Sequence, residues 1–340
     1  MEYWEEINDK LKPWVDSQLD KTVVDLFAGC GGLSLGFEAN GFKTIGFEMN
    51  ENASSTYSEN LLGKCFTEKL DVDKVYPKAD ILIGGPPCQP FSVGGKQLGL
   101  KDSRDGFPIF IAAVKQLEPD YLLFENVKGM LFKNKWYLEE VMQELNELGY
   151  NLDFSVLNAK NYEVPQNRER VIVIGSKKRI RLPNKINRKI TSGQALGELA
   201  FEFDKNSKFF TASMDKYVAN YEKASKCVNP RDLYLDRPAR TLTCRNLAGA
   251  TGDMHRVRLK DGRRRRITVR EAARLQSFPD WYNFIGTETN QYNQIGNAVA
   301  PNFAYHLAKN IKNHIQGKPQ TNYLITEKEQ LTIFKNETVH

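Results

Sequence analysis

Histidine is scarce in this 340-residue chain, and three of the four fall after residue 300. That argues against a histidine-based metal centre. Cysteine is nearly as thin. Cys30, Cys65, Cys88, Cys227 and Cys244 make an odd set with no Cys-x-x-Cys spacing. Such a set excludes a disulfide framework or zinc ribbon as the organising device and fits a reducing compartment. No apolar run approaches the length needed to cross a bilayer. The start, Met1-Glu2-Tyr3-Trp4-Glu5-Glu6, is acidic and has no apolar core, unlike a signal peptide. Low-complexity stretches are also missing. What remains is ordinary globular composition, 41% hydrophobic and 26% charged, expected to be soluble and cytoplasmic. The net charge of +6 is modest, so the placement of the basic residues matters more than their excess.

What is present is a βα alternation. Residues 3–19 carry Trp4, Ile7, Leu11 and Trp14 at helical spacing, a packing helix interrupted by Pro13. Thr22-Val23-Val24-Asp25-Leu26-Phe27 reads as a buried strand and runs into Ala28-Gly29-Cys30-Gly31-Gly32-Leu33. Strand, glycine turn and helix begin the nucleotide site of an open α/β sheet: the glycines admit a ligand to the backbone, and the helix start offers free N–H groups. The loop lacks the Gly-Lys-Ser/Thr of a P-loop. It also fits a dinucleotide fingerprint badly, because Ser34 stands where the third glycine belongs. A second strand from Lys43 ends at Glu48, placed to accept ribose hydroxyls, and Asp71 follows another short β-like segment. A nucleoside without phosphates suits this edge best.

The stiffest stretch is Gly84-Gly85-Pro86-Pro87-Cys88-Gln89-Pro90-Phe91-Ser92, after the apolar run Ile81-Leu82-Ile83. Glycines allow a sharp turn and prolines fix φ, so the Cys88 thiol is held rigidly past a strand end, as a nucleophile facing a crevice must be. Residues 93–106 hold four glycines and read as a mobile loop able to close over a substrate. Phe107, Phe110, Ile111, Val114 and Leu117 form one helical face. The strand Tyr121-Leu122-Leu123-Phe124 follows and ends in Glu125-Asn126-Val127. One right-handed crossover thus brings Glu125 to the sheet edge that carries Cys88. Trp136 to Leu148 reads as a helix capped by Gly149, and Asp153–Leu157 with Arg170–Ile174 as a strand pair. Between those strands Arg168 and Arg170 lie two apart. On an extended chain both guanidinium groups face one way, which suits phosphate or carboxylate.

From about Ser176 the alternation stops, and a smaller, loop-rich domain is expected, with Thr241-Leu242-Thr243-Cys244-Arg245 as its best strand. Charge then concentrates in His255, Arg256, Arg258, Lys260 and Arg263-Arg264-Arg265-Arg266, the expected footprint of a polyanion. Thr268 and Glu271 form a capping box for a helix through Leu275. Gln294-Ile295-Gly296-Asn297 leads into a last long helix.

Taken together, these segments resemble the DNA cytosine-C5 methyltransferases of bacterial restriction-modification systems. The carrying residues are Asp25 to Gly32, Pro86 to Ser92, Glu125-Asn126-Val127, Gln166-Asn167-Arg168-Glu169-Arg170, Arg270-Glu271-Ala272-Ala273-Arg274-Leu275-Gln276 and Gln294 to Asn297, in the family's order. One departure is Glu163, where the family often has glycine, which puts the local turn geometry in question.

The resemblance implies an α/β fold, a Rossmann-like S-adenosylmethionine-dependent sheet built from residues 1–180 and 288–340, with a target-recognition domain over 181–287. It implies a donor pocket of Phe27, Ala28, Gly29, Gly31, Gly32 and Leu33, Glu48 and Met49, Asp71 and Val72, Gly85 and Pro87, Asn297 and Ala298, with S-adenosylhomocysteine as product. Phe27 would pack on the adenine, Glu48 hold the ribose, Asp71 meet the adenine amino group and Asn297 lie near the methionine end. Cys88, Glu125, Arg168 and Arg170 would be catalytic, with Cys88 adding to cytosine C6, a protonated Glu125 at N3 and Arg168 at O2. Double-stranded DNA would meet Gln89, Ser92, Gly94, Arg245, Arg256, Arg258 and Arg270, bound by a monomer. Rival readings are the same chemistry on transfer RNA, a relative that binds without catalysis, and a nicotinamide oxidoreductase, the last disfavoured by the missing third glycine.

Overall fold

The computed structural model describes residues 1–87, 105–224, 231–249 and 253–318. Eight early strands form in chain order: β1 (Thr22–Leu26), β2 (Lys43–Glu48), β3 (Lys64–Thr67), β4 (Ile81–Gly84), β5 (Tyr121–Val127), β6 (Asn151–Asn158), β7 (Gln166–Asn167) and β8 (Glu169–Ser176). Seven of them make one sheet in the order β3-β2-β1-β4-β5-β8-β6. The first five pair in parallel, while β8 runs antiparallel to both β5 and β6. The α/β, Rossmann-like class expected from the sequence is thus the observed one.

Strand alternation divides the core into two layers. Val24 and Leu26 of β1, Leu82 of β4, Leu122 and Phe124 of β5, and Val171 and Val173 of β8 face one side. There they meet Phe110 and Val114 of α4 (Phe107–Leu117) and Leu138, Val141 and Leu145 of α6 (Lys135–Glu147). The intervening residues, Val23, Ile81, Ile83, Leu123, Ile172 and Ile174, face the other side. They meet Leu33 and Phe37 of α2 (Gly32–Glu38) and Phe303, Leu307 and Ile311 of α12 (Pro301–Ile315). Each fully buried aliphatic side chain contributes roughly 1.5–3 kcal/mol, so the layers hold the strand ends at fixed heights. Two small helices complete this half, α3 (Glu51–Asn60) and α5 (Met130–Lys133).

The N-terminal helix α1 (Tyr3–Lys10) is shorter than its periodicity predicts, and Trp14 lies half exposed beyond it. Tyr3, Ile7 and Leu11 bury; Tyr3 Oη donates to the Glu163 carbonyl at 2.7 Å. Glu163 is itself the departure from the family's glycine, and it sits at φ 58°, the left-handed region that glycine takes without cost. Ion pairs from Lys10 at 2.8 Å and Arg188 at 3.3 Å hold its carboxylate there.

After β8 come α7 (Ser192–Leu196), α8 (Ala212–Ala224), β9 (Ala239–Arg240), α9 (Cys244–Ala248), β10 (Arg256–Arg258), β11 (Arg264–Arg266) and α10 (Val269–Leu275). The strand expected over residues 241–245 is not one. Thr243 accepts from Asn246 N and Asn246 returns the bond, so a capping box starts α9 inside that stretch. Local capping outweighed β-propensity there. Thr268 and Glu271 do form the expected box at the head of α10. Gln294-Ile295-Gly296-Asn297 closes α11 (Glu288–Asn297), and α12 begins after a break at Ala298-Val299-Ala300. A third apolar cluster joins Ala28, Cys30 and Tyr57 to Leu242, Leu275, Tyr292 and Ile295, so the later segment packs directly beneath the glycine loop.

The basic run is divided between interior and surface: His255, Arg256 and Arg265 are buried, Arg264 and Arg266 half-buried, and Arg258, Lys260 and Arg263 exposed. Arg265 is buried and forms a two-pronged pair with Glu271 at 2.8 and 2.9 Å. Arg256 is 0% exposed and pairs with Asp232 at 2.5 Å and Glu222 at 2.9 Å. Arg264 reaches Asp232 and Asp215, and Arg263 pairs with Asp261. His255 is buried as well, and burial pushes its ring down to about 3. The expected polyanion footprint is therefore narrowed: Arg256 and Arg265 are taken up inside the fold by carboxylates, while Arg258, Lys260 and Arg263 stay exposed.

Candidate active site

The parallel sheet reverses its winding between β1 and β4, and a crevice opens outside their carboxyl ends. A cavity of about 830 Å³ occupies it. Phe27, Ala28, Gly29, Gly32 and Leu33 line one side, with Glu48 and Met49 from the end of β2. Phe27 leaves β1 at φ 59°, an uncommon value for a non-glycine residue, and Gly31 caps α2 at φ 84°. Glu48 is held by two backbone donors, Gly29 N at 3.0 Å and Asn50 N at 2.7 Å, which fixes its carboxylate at the cavity wall.

Gly85, Pro86 and Pro87 come from the end of β4, and Glu125, Asn126 and Val127 from the end of β5. The Asn126 carboxamide donates to the Pro86 carbonyl at 3.0 Å, locking the two strand ends together. Arg170 Nε lies 2.7 Å from Glu125 Oε1, both groups largely buried. The crossover argument thus puts Glu125 where it was expected, beside the Pro-Pro turn. Cys88, Gln89, Ser92 and Gly94, with the glycine-rich loop through Arg104, lie outside the described residues.

Arg168 and Arg170 do not act as a pair on one face. Arg168 is 3% exposed and donates to the Leu242 carbonyl at 2.9 Å, the Ala298 carbonyl at 3.0 Å and the Gly296 carbonyl at 3.4 Å. Burial pushes its guanidinium down to about 9, helped by the nearby Arg170 charge. It does not line the cavity. Its terminal nitrogens are committed to the chain, so the expectation that it holds a base oxygen is corrected. Gln166 and Gln276 continue the same lattice: Gln166 donates to Gln276 Oε1 at 2.6 Å, and Gln276 donates to the Ile295 carbonyl at 2.8 Å. Three of the motifs that the sequence presents separately are laced together here by buried amides.

The remaining positions divide clearly. Asn297 and Ala298 line the cavity, and Asn297 Oδ1 accepts from Cys244 Sγ at 2.8 Å. Asp71 and Val72 are exposed and stand outside the lining, where Glu68, Lys69 and Leu70 take the place expected of them. Gly31 also lies behind the wall, facing Tyr57 and Leu61. Arg245 and Arg258 are exposed. Arg270 is spent on the Pro279 and Tyr282 carbonyls, both at 3.0 Å, which with Arg256 removes two of the four arginines expected to meet DNA.

Two features of the wall escape the sequence reading. Asn290, Asn293, Gln294 and Asn297 all line the cavity from α11. Their i, i+3, i+4, i+7 spacing marks one amide stripe and was available as a signal. Asp25 also lines the cavity, 1% exposed, with Ser34 Oγ donating to its Oδ2 at 2.6 Å. The strand pattern reads Asp25 as a core position, and only the packed structure puts it in the cavity lining.

Among the described residues no group of His, Cys, Asp and Glu side chains could hold a metal ion, and no helix is long and apolar enough to cross a membrane. The family description "C-5 cytosine-specific DNA methylase" matches residues 21–313. The type II methyltransferase M.AplI of Arthrospira platensis is 51% identical over 98% of both chains. M.FnuDI of Fusobacterium nucleatum is 32% identical over 90% of this chain and 98% of its own. Among solved structures, a DNMT2 variant from Spodoptera frugiperda superposes with TM-score 0.68 at 21% identity, over 86% of this chain and 100% of its own. A putative DNA modification methyltransferase encoded within an E. coli prophage gives TM-score 0.63 at 24% identity, over 87% and 100%. At those identities the two structures speak to the fold. The match along nearly the whole chain says more: this protein belongs to the C-5 cytosine-specific DNA methylases and is a DNA (cytosine-5-)-methyltransferase of the restriction-modification type.

Proposed function

We propose that the protein moves a methyl group from S-adenosylmethionine to C5 of a cytosine swung out of a specific double-stranded DNA sequence, through a transient bond between Cys88 and C6. In this reading it shields DNA from a cognate endonuclease. Residues 1–180 and 288–340 carry donor and catalysis, and 181–287 read the target, in a cytoplasmic monomer. One observation supports the chemistry above the others. Pro86, Pro87 and Glu125 line the same cavity as the glycine loop, with Asn126 bonded across their two strand ends. Cys88 is the next residue in the chain after Pro87.

The wall fits the donor. Glu48 offers a fixed carboxylate of the kind ribose hydroxyls require. Gly106 leaves a cradle: a Cβ there would strike Pro87 Cδ and the Phe27 ring. When bound, the donor supplies an electrophilic methyl group. The chain's own part is to make cytosine C5 able to accept it. The Cys88 thiolate adds to C6, and the displaced electron pair makes C5 an enamine carbon. Glu125 holds a proton at N3, drawing charge off the ring, and Arg170 fixes its carboxyl group. After methylation the C5 proton leaves to a base, the C6–S bond breaks and the thiolate returns. Swinging the base out costs a few kcal/mol. Of the four arginines expected to meet DNA, Arg245 and Arg258 are exposed and would offset that cost through the DNA backbone, together with Gln89, Ser92 and Gly94.

The test is Cys88→Ala. Methyl transfer to duplex DNA should vanish while S-adenosylmethionine binding persists. DNA carrying 5-fluorocytosine at the target should form a denaturant-resistant adduct with the wild-type protein, because fluorine cannot leave C5 as a proton does. Normal turnover by the Cys88→Ala protein would end the mechanism.

A further inference from the structure

Asp25 is the most deeply buried acid in the cavity wall. Its carboxyl has one close side-chain partner, the neutral Ser34 hydroxyl, and no Lys, Arg or His among the described residues pairs with it. Burial pushes it up to about 7, and the negative charge of Glu48 on β2 adds to that push. The other groups facing it are the Tyr57 phenol of α3 and the Cys65 thiol of β3, both kept neutral by burial. β4 brings only Ile81, Leu82, Ile83 and Gly84.

A second group in the same wall is unsatisfied. Gln294 Oε1 is buried and accepts no hydrogen bond from the described residues, while its amide nitrogen donates to the Ile285 carbonyl at 2.8 Å. The lining as a whole is acidic: Asp25, Glu48, Glu68, Asp105 and Glu125 stand against Lys69. Glu68 and Glu125 are offset by Lys74 and Arg170 from outside the lining. An uncompensated carboxyl in an enclosed wall, with an open amide oxygen in the same lining, makes that wall a complement to positive charge.

We propose that Asp25 supplies the counter-charge for the cationic methyl donor, so that donor binding is coupled to loss of the Asp25 proton and exceeds binding of the uncharged-sulfur product. The inference rests on the cavity being the S-adenosylmethionine site. The donor carries a sulfonium charge that S-adenosylhomocysteine lacks; both carry an ammonium and a carboxylate. A carboxylate in a wall of low dielectric attracts the extra positive charge strongly, and that attraction disappears once the methyl group has been transferred. Asp25 thus selects the donor and lets the product go. The sign follows from linkage. A bound cation favours ionised Asp25, so donor binding near pH 7 releases a proton. Below that pH the donor must displace the proton, and its affinity falls by up to about tenfold per pH unit.

The experiment is calorimetric titration of the full-length protein, without DNA, between pH 6 and 8, in two buffers of different ionisation enthalpy. Donor binding should release a substantial fraction of a proton near pH 7, and its dissociation constant should rise as pH falls, with a weaker trend for S-adenosylhomocysteine. Asp25→Asn should flatten the donor profile, abolish the release and cut the donor-over-product preference about tenfold. Tight binding of both ligands by the wild-type protein with no proton release overturns the role of Asp25 and leaves the cofactor assignment standing. That measurement needs no variant to fold. Binding of neither ligand at any pH overturns the assignment together with the inference.

Discussion

The Asn126 carboxamide, at the end of β5, donates to the carbonyl oxygen of Pro86, at the end of β4, across 3.0 Å and 40 positions of chain. Asn126 Oδ1 in turn accepts the Val127 amide at 2.8 Å, so one side chain braces both strand ends. Asn126→Ala leaves a buried carbonyl short of this donor, at a cost of about 1–3 kcal/mol in unfolding free energy. Losing the brace also loosens the turn that precedes Cys88. We expect kcat to fall about 10²-fold with donor affinity nearly unchanged, checked by single-turnover methylation beside donor titration. Unchanged kcat in a stably folded variant would show that the brace serves stability alone.

Glu125 and Arg170 form the other fixed relationship in the site, at 2.7 Å. Glu125→Gln keeps the shape and removes the group that exchanges a proton with the base. Methyl transfer should drop by about 10²–10⁴-fold, while equilibrium binding of donor and DNA stays within a few-fold. A variant that loses DNA affinity in proportion to rate would reassign Glu125 to binding.

The arginines of the later segment should split into two classes. Arg265, bidentate on Glu271 in the interior, and Arg256, enclosed by Asp232 and Glu222, hold the fold. Replacing Arg265 by alanine strands the buried Glu271 carboxylate and should cost about 3–5 kcal/mol in urea unfolding, whereas Arg256→Ala should cost less because Asp232 keeps Arg264. Arg245 and Arg258 are exposed, and their alanine variants should unfold like the wild type. Each should lower the dependence of log K on log salt for duplex DNA by about one. A wild-type salt slope in both exposed variants would place the DNA face elsewhere.

Glu163 gives a test in pH. His306 Nε2 at 3.3 Å and Lys10 Nζ at 2.8 Å hold its carboxyl well below the usual value of 4.5. A carboxyl depressed in the folded state stabilises fully above its unfolded value, and that contribution drains away as pH falls below about 4.5. Glu163→Gly would relieve the left-handed backbone but strand the largely buried Lys10, while Arg188 keeps Glu6. We expect a net loss of about 2 kcal/mol at pH 7, shrinking as the solution is acidified, as thermal unfolding across pH 3–7 would reveal. A gain in stability at pH 7 would mean that backbone strain outweighs the ion pairs.

The βα alternation was legible because each buried strand is a short apolar run that alternates between two apolar layers, as Val23 and Val24 or Ile172 and Val173 do. Capping was legible where box residues stood at the right spacing, at Thr268 and Glu271, and misread at Thr243, where β-branched neighbours masked the same signal. The site was legible in its backbone: glycine loop, Pro-Pro turn, and carboxylates at strand ends. Arg168 was misjudged because an arginine two places from another looks like a surface fork, when its head is in fact closed on three carbonyls.

The chain alone determined the sheet's strands, the order of its motifs and the family, since those depend on local periodicity and on residue types at short spacing. The tertiary structure decided where charge ends up. Whether an arginine meets DNA, a carbonyl or a carboxylate is set by partners up to 130 positions away, as Arg168 and Ala298 illustrate. An acid such as Asp25 becomes a recognition group only because folding removes water from it and sets no Lys, Arg or His of the described residues against it.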